Sequence, residues 1–204
     1  MILRLHAYVL LCAALVACGS SPEPAYYALG RVPGVLIADP LGSIEVRRPS
    51  IAGYLDRSEI LTQVVDHRLR LASNERWGEP LALMIGRVLA DDLGERLPGS
   101  TVFTESSDMS IHASRVVELS ISKLELDADG YVRLKALLAL RSDTGQAPAL
   151  TRTLTLQARP SSSETPALVD TMSGLVGLLA NEIAGALKAS AVSQQAELRE
   201  PGTD

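Results

Sequence analysis

The chain has 204 residues, enough for one domain with a full hydrophobic core and short tails. Hydrophobic residues make up 47% and charged residues 21%, a balance too apolar for a disordered protein. A net charge of −5 argues against a nucleic-acid binder that works by neutralising phosphate, and 3% aromatics argue against base-stacking platforms.

The first residues set a destination. Arg4 precedes an uncharged apolar run from Ala7 to Ala17, too short for the roughly 20 residues of a membrane-spanning helix but suited to a secretory signal. The run ends in Leu15-Val16-Ala17-Cys18, which resembles the bacterial lipobox, and a polar tether follows from Gly19 to Pro24. On this reading residues 1–17 are a signal peptide and residues 18–25 a lipidated tether. Cys18 carries the covalent lipid, palmitate and thioether-linked diacylglycerol, and no dissociable cofactor is expected. Cys12 leaves with the signal, so the mature chain has no free thiol and no disulfide. Removing Arg4 leaves 18 basic and 24 acidic residues, a balance of −6. Each buried acyl methylene adds about 0.8 kcal/mol, so the anchor is strong. Gly19, rather than Asp, follows Cys18. That resembles a sorting signal for the outer membrane and places the body on its periplasmic face.

Residues 26–191 read as one domain and residues 192–204 as a flexible tail. Leu36-Ile37 and Ile44 to Val46 are short strand candidates around a turn at Asp39 to Gly42. Ile60 to Val65 and His67 to Ala72 predict a hairpin turning near Asp66, with Leu69 and Leu71 on one face. Pro80 to Leu97 predicts a helix. Leu81, Ile85, Leu89, Leu93 and Leu97 form its apolar stripe, while Arg87, Asp91, Asp92, Glu95 and Arg96 take the wet face. Thr101 to Thr104 is a short strand. In Arg115 to Leu126 the apolar phase switches after Ile121, which predicts a bulge or a strand buried on both faces. A turn at Asp127 to Gly130, alternation from Val132 to Leu140, and further alternation from Leu150 to Ala158 complete a three-stranded antiparallel meander. After a polar loop at residues 161–165, residues 166–191 carry Leu168, Met172, Leu175, Leu179, Ile183 and Leu187 at helical spacing. Gly174, Gly177 and Gly185 weaken this helix, and close packing on the sheet is expected to compensate. The expected fold is α/β: a mixed, largely antiparallel sheet packed with two main helices, in a three-layer-like sandwich.

No convincing catalytic constellation appears. Ser120 to Lys123 matches SxxK, but in an alternating strand residues three apart point to opposite faces. His67 and His112 have no acidic pair or nucleophile placed beside them, and Asp91-Asp92 reads as a solvated helix face. The chain is read as a non-enzyme without a metal site. Two clusters stand apart, Tyr54-Leu55-Asp56-Arg57 and Arg76-Trp77-Gly78-Glu79-Pro80-Leu81, the second holding the chain's only Trp. They read either as local packing, with Arg57 or Arg76 pairing a carboxylate and Glu79 at the helix start, or as a contact surface for a partner protein.

With the lipobox, Tyr26-Tyr27-Ala28-Leu29, the later Asp129-Gly130-Tyr131-Val132 and the final helix, these clusters resemble the PqiC-type ABC-transport auxiliary lipoproteins over nearly the whole mature chain. The resemblance implies a three-layer α/β domain and a partner role beside a transporter with an MCE-domain protein, a permease and an ATPase. Such systems are linked to lipid traffic between the two membranes and to envelope integrity. The expected function is thus a lipid-anchored periplasmic accessory that docks an MCE-type conduit to the outer membrane. Its partners would be the MCE-domain protein, outer-membrane lipid and copies of itself. The partner-contact candidates are Tyr54, Leu55, Asp56, Arg57, Arg76, Trp77 and Glu79. The alternative is a periplasmic carrier with its own apolar pocket.

Overall fold

The computed structural model describes residues 23–105, 111–142 and 150–197, so the expected signal peptide at residues 1–17 and Cys18 lie outside the described residues. In chain order the elements are β1 (Ala25–Tyr27), β2 (Ser43–Val46), β3 (Ser50–Ile51), β4 (Glu59–Val65), β5 (Arg68–Trp77), α1 (Leu81–Arg96), β6 (Thr101–Thr104), β7 (Arg115–Leu126), β8 (Val132–Ser142), β9 (Leu150–Ala158) and α2 (Thr165–Glu197). The fold is the expected mixed α/β arrangement with two helices.

The sequence predicts one sheet, and the chain builds two. The larger runs β6-β2-β7-β8-β9, with β3 also on β7. β7, β8 and β9 form the antiparallel meander, while β2 pairs in parallel with both β6 and β7. β2 and β3 follow the same edge of β7, interrupted at Pro49, which has no backbone N–H to give to a ladder. The smaller sheet, β1-β5-β4, forms because β1 adds in parallel to β5 and β4 pairs antiparallel on its other side.

The core lies between one face of the larger sheet and the helices. Alternation in β8 sends Val132, Leu134, Ala136, Leu138 and Leu140 inward, all buried. The phase switch in β7 is a bulge between Ile121 and Lys123, and it keeps both Ile121 and Leu124 in the core. The same bulge corrects the expectation for the SxxK residues. Ser120 lies opposite Leu137 and Lys123 opposite Lys135, which puts both on the outer face, where Lys123 pairs with Asp127 at 2.6 Å.

The whole predicted stripe of α2 is buried. The helix runs past residue 191 to Glu197, since no Gly or Pro interrupts the chain there. Its mean hydropathy over Thr165–Ser193, 1.4, reaches that of a spanning segment, but half of that window is buried inside the protein, as in a core helix.

The chain between β1 and β2 is a strap laid over both helices. Leu36-Ile37, expected as a strand, is extended but unpaired with any strand. The strap's backbone bonds go to helix groups instead. Leu29 N–H donates to Met84 Sδ (3.0 Å), Gly30 N–H to Ser173 Oγ (3.0 Å), Val32 N–H to Asp92 Oδ1 (2.9 Å) and Ile37 N–H to the Arg96 carbonyl (2.7 Å). Gly177 faces this strap rather than the sheet: a Cβ there would lie 2.7 Å from Val32 Cβ.

Arg96 holds the junction, which overturns the wet-face assignment of Asp92 and Arg96. Both side chains are fully buried. Arg96 donates to Asn181 Oδ1 (2.6 Å) and to the carbonyls of Asp92 (2.7 Å), Val32 (2.9 Å) and Gly177 (3.0 Å). It thereby ties α1, α2 and the strap together. A Cβ at Gly34 would lie 2.2 Å from Arg96 Nε, so the strap passes the guanidinium only as glycine.

Burial raises the Asp92 carboxyl above the usual carboxylate range, against the Val32 N–H and Arg96, and its Oδ2 has no hydrogen-bond partner. A carboxyl with a raised folded pKa holds its proton longer in the native than in the unfolded chain. Its stabilising term is complete below the unfolded value, about 4, and is lost as pH rises through the folded value. Asp92→Asn has no such term. Urea unfolding from acid to neutral pH should therefore show the variant gaining on the wild type as pH rises. A flat or falling difference would refute this assignment.

Candidate partner-contact site

The β4–β5 hairpin closes the gap between the two sequence clusters. Tyr54 to Arg57 lie just before β4, and Arg76-Trp77 end β5. Register pairs Glu59 with Arg76, and Trp77 N–H donates to the Ser58 carbonyl at 2.8 Å. Arg76 Nη1 donates to Ser58 Oγ (3.0 Å) and Glu59 Oε1 (3.3 Å). Gly78 N–H donates to the Tyr27 carbonyl (2.8 Å), so β1 secures the same corner.

The cluster residues divide by burial. Leu55 and Trp77 are core, 2% and 6% exposed. Trp77 ends β5, and its burial fits the local-packing reading of this cluster. Tyr54 is half-buried, with its hydroxyl donating to the Ser122 carbonyl (3.3 Å). Burial, with help from Glu125, pushes that hydroxyl's pKa well up. Arg57 Nε donates to the Tyr54 carbonyl (2.7 Å) and shapes the loop. Glu79 pairs with Arg87 at 2.5 Å across the first turns of α1. Asp56 is exposed. Asp56, Arg57, Ser58, Trp77, Glu79 and Pro80 line an open cleft of about 320 Å³. It offers charged rims over an aromatic base.

Hydrogen bonding holds the Glu59 carboxyl below its ordinary value, its own backbone first and Arg76 after it. Chemistry beyond recognition has little to work with here. Among the described residues no group of three or more His, Cys, Asp or Glu is placed to hold a metal. His67 lies exposed at the hairpin turn, while His112 lines a separate cleft with Glu45, Arg47 and Arg141. Beside that cleft, Glu118 accepts from Arg47 (2.5 Å) and Arg141 (2.8 Å), which hold its carboxyl low. Sequence reasoning did not single out this outer-face network. Its members are far apart in the chain, and nothing local in the sequence joins Arg47, just past β2, to Glu118 on β7 and Arg141 on β8.

Comparison with protein families matches residues 30–184 to the ABC-type transport auxiliary lipoprotein component. The chain belongs to this family. The match takes in most of the strap, both clusters and most of α2, and it bears out the family expected from the sequence. Family membership makes the protein a transport auxiliary lipoprotein of the cell envelope; the family is not an enzyme class. No curated protein matches the chain. Among solved structures, the chain resembles protein XCC0632 from Xanthomonas campestris, described as a DUF330 protein, with TM-score 0.71 and 16% identity over 84% of this chain and 99% of that one. It also resembles a crystal structure described only as an uncharacterized protein, with TM-score 0.68 and 17% identity over 81% and 99% of the two chains. At these identities the likeness concerns the fold alone.

Proposed function

We propose that this auxiliary lipoprotein is anchored through Cys18 in the outer membrane and, from its periplasmic face, docks the MCE-domain protein of an ABC transport system. In that position it supports lipid traffic and envelope integrity. The supporting observation is the junction of the two clusters: the buried Trp77 lines the base of an open cleft, and Asp56, Arg57 and Glu79 rim it. A buried aromatic ringed by polar groups is the composition of a protein contact site. A homo-oligomer would repeat the cleft to match a ring-forming partner.

The carrier alternative would need an enclosed apolar cavity between the sheet and the helices. The space between sheet and helices is filled by fully buried side chains such as Ile85, Leu89, Leu134 and Leu175. Another open cleft, about 490 Å³, lies outside it; Val46 and Leu83 line it together with Arg48, Glu79, Arg87 and Glu105.

The experiment is crosslinking in native membranes, capture of the acylated protein and mass spectrometry, with Cys18→Ser as the anchor control. The wild type should recover an MCE-domain protein, and Cys18→Ser should lose it. Asp56→Arg, at an exposed position, should reduce recovery while leaving stability within about 0.5 kcal/mol. Bound phospholipid without such a protein would reject docking in favour of the carrier.

A further inference from the structure

The β4–β5 hairpin carries an unusual tip. Asp66 and His67 turn it with φ of 49° and 62°, both left-handed. A two-residue turn of this kind fits the twist of the flanking strands. Beyond it Arg68, Leu69, Arg70 and Leu71 are all exposed, the leucines by 41% and 39%. Alternation along β5 puts the leucines on one face and the arginines on the other. The sequence predicts Leu69 and Leu71 as one apolar face, and among the described residues that face is covered on the β4 side, by Leu61 and Val64 opposite them, but stays part-exposed at the leucines themselves.

The route of the chain says what meets it. β1 runs parallel to β5, with Ala25 opposite Glu75 and Tyr27 opposite Trp77. Upstream, the Glu23 carbonyl still accepts from Asn74 Nδ2 at 2.8 Å. At Glu23, the start of the described chain, the backbone thus still lies beside β5 on the side leading to the hairpin turn. Cys18 lies seven residues before Ala25, and Arg68 lies seven residues before Glu75. Seven extended residues reach at most about 25 Å. The strand from Glu75 to Arg68 spans about 23 Å. The reach of the anchor and the length of the arm are the same.

We infer that the β4–β5 tip rests on the bilayer that holds the anchor. Leu69 and Leu71 enter the acyl boundary, and Arg68 and Arg70 meet the phosphates of anionic phospholipid. This rests on acylation of Cys18. Arginine beside apolar side chains is the chemistry that binds a protein to such an interface. A lone lipid anchor leaves the body free to swivel. The hairpin supplies a second contact and fixes the tilt. The cleft at Trp77, at the far end of β5, is then held about 30 Å above the lipid.

The test uses the acylated full chain in vesicles of phosphatidylethanolamine and phosphatidylglycerol with brominated acyl chains. An environment-sensitive thiol label goes on His67→Cys at the tip, or on Thr153→Cys on the exposed face of β9 as control. The tip label should shift to the blue and be quenched, and the control label should not change. Leu69→Ser/Leu71→Ser should abolish the quenching. Arg68→Glu/Arg70→Glu should weaken it by roughly fivefold per arginine at low salt. Circular dichroism checks that each variant folds. Mass spectrometry of the same sample reads Cys18 acylation. An unacylated chain fails the anchoring proposal itself. An acylated chain whose tip label stays in water overturns the hairpin inference alone. A tip label that stays in water here but crosslinks to another protein in native membranes also overturns it, and assigns the hairpin to that partner.

Discussion

Arg96→Met should cost about 3–5 kcal/mol of folding stability, the loss expected when one partner is removed from a buried charged pair. The methionine nearly fills the space but returns none of the bonds to Asn181 or to the carbonyls of Val32, Asp92 and Gly177. It also leaves the Asp92 carboxyl buried without its cation at 3.7 Å. Adding Asp92→Asn should recover part of the loss, because the stranded charge disappears. Gly34→Val should reproduce much of the defect without touching Arg96, by driving a side chain into the guanidinium. Urea unfolding of the four proteins decides the matter. Arg96→Met with a midpoint near that of the wild type would mean that the junction does not hold the strap.

Trp77→Ala should be the other severe change, at about 3–5 kcal/mol for deleting a buried aromatic. For a domain of this size that corresponds to a melting temperature lower by about 10 °C. Trp77 packs within the core cluster at the corner that Ser58 and Tyr27 close, so its loss loosens the base of the cleft as well as the fold. Trp77→Phe keeps most of the apolar area and should fall well short of that cost. The pair also separates stability from recognition. If Trp77→Phe is stable yet fails to capture the partner, the indole takes part in docking. If Trp77→Ala melts at the wild-type temperature, its burial contributes nothing and the account of this corner fails.

The sequence disclosed the elements whose periodicity matches their burial. β8 alternates cleanly because one face meets helices and the other meets solvent. The stripe of α2 is legible for the same reason, and the broken phase of β7 announced its bulge. What stayed hidden depended on partners far along the chain. A helical wheel puts Asp92 and Arg96 with the charged residues of α1. Only the strap and Asn181, 85 residues beyond Arg96, turn that position into core. Leu69 and Leu71 alternate like core residues, yet both are exposed. The candidate site was legible as two clusters, and their meeting was not. It follows from the hairpin register that joins Glu59 to Arg76.

The strap also sets an order of events in folding. Gly30 bonds to Ser173, 143 residues later in the chain, and Arg96 bonds to Gly177, 81 residues later. Contacts this distant in sequence close late, because the intervening chain must be organised first. α1 alone offers the segment following β1 Met84, Asp92 and the Arg96 carbonyl, and α2 adds Ser173 only once it has docked. The clasp on the strap is therefore complete only when the last helix has locked in, and the first and last described segments of the chain become ordered together.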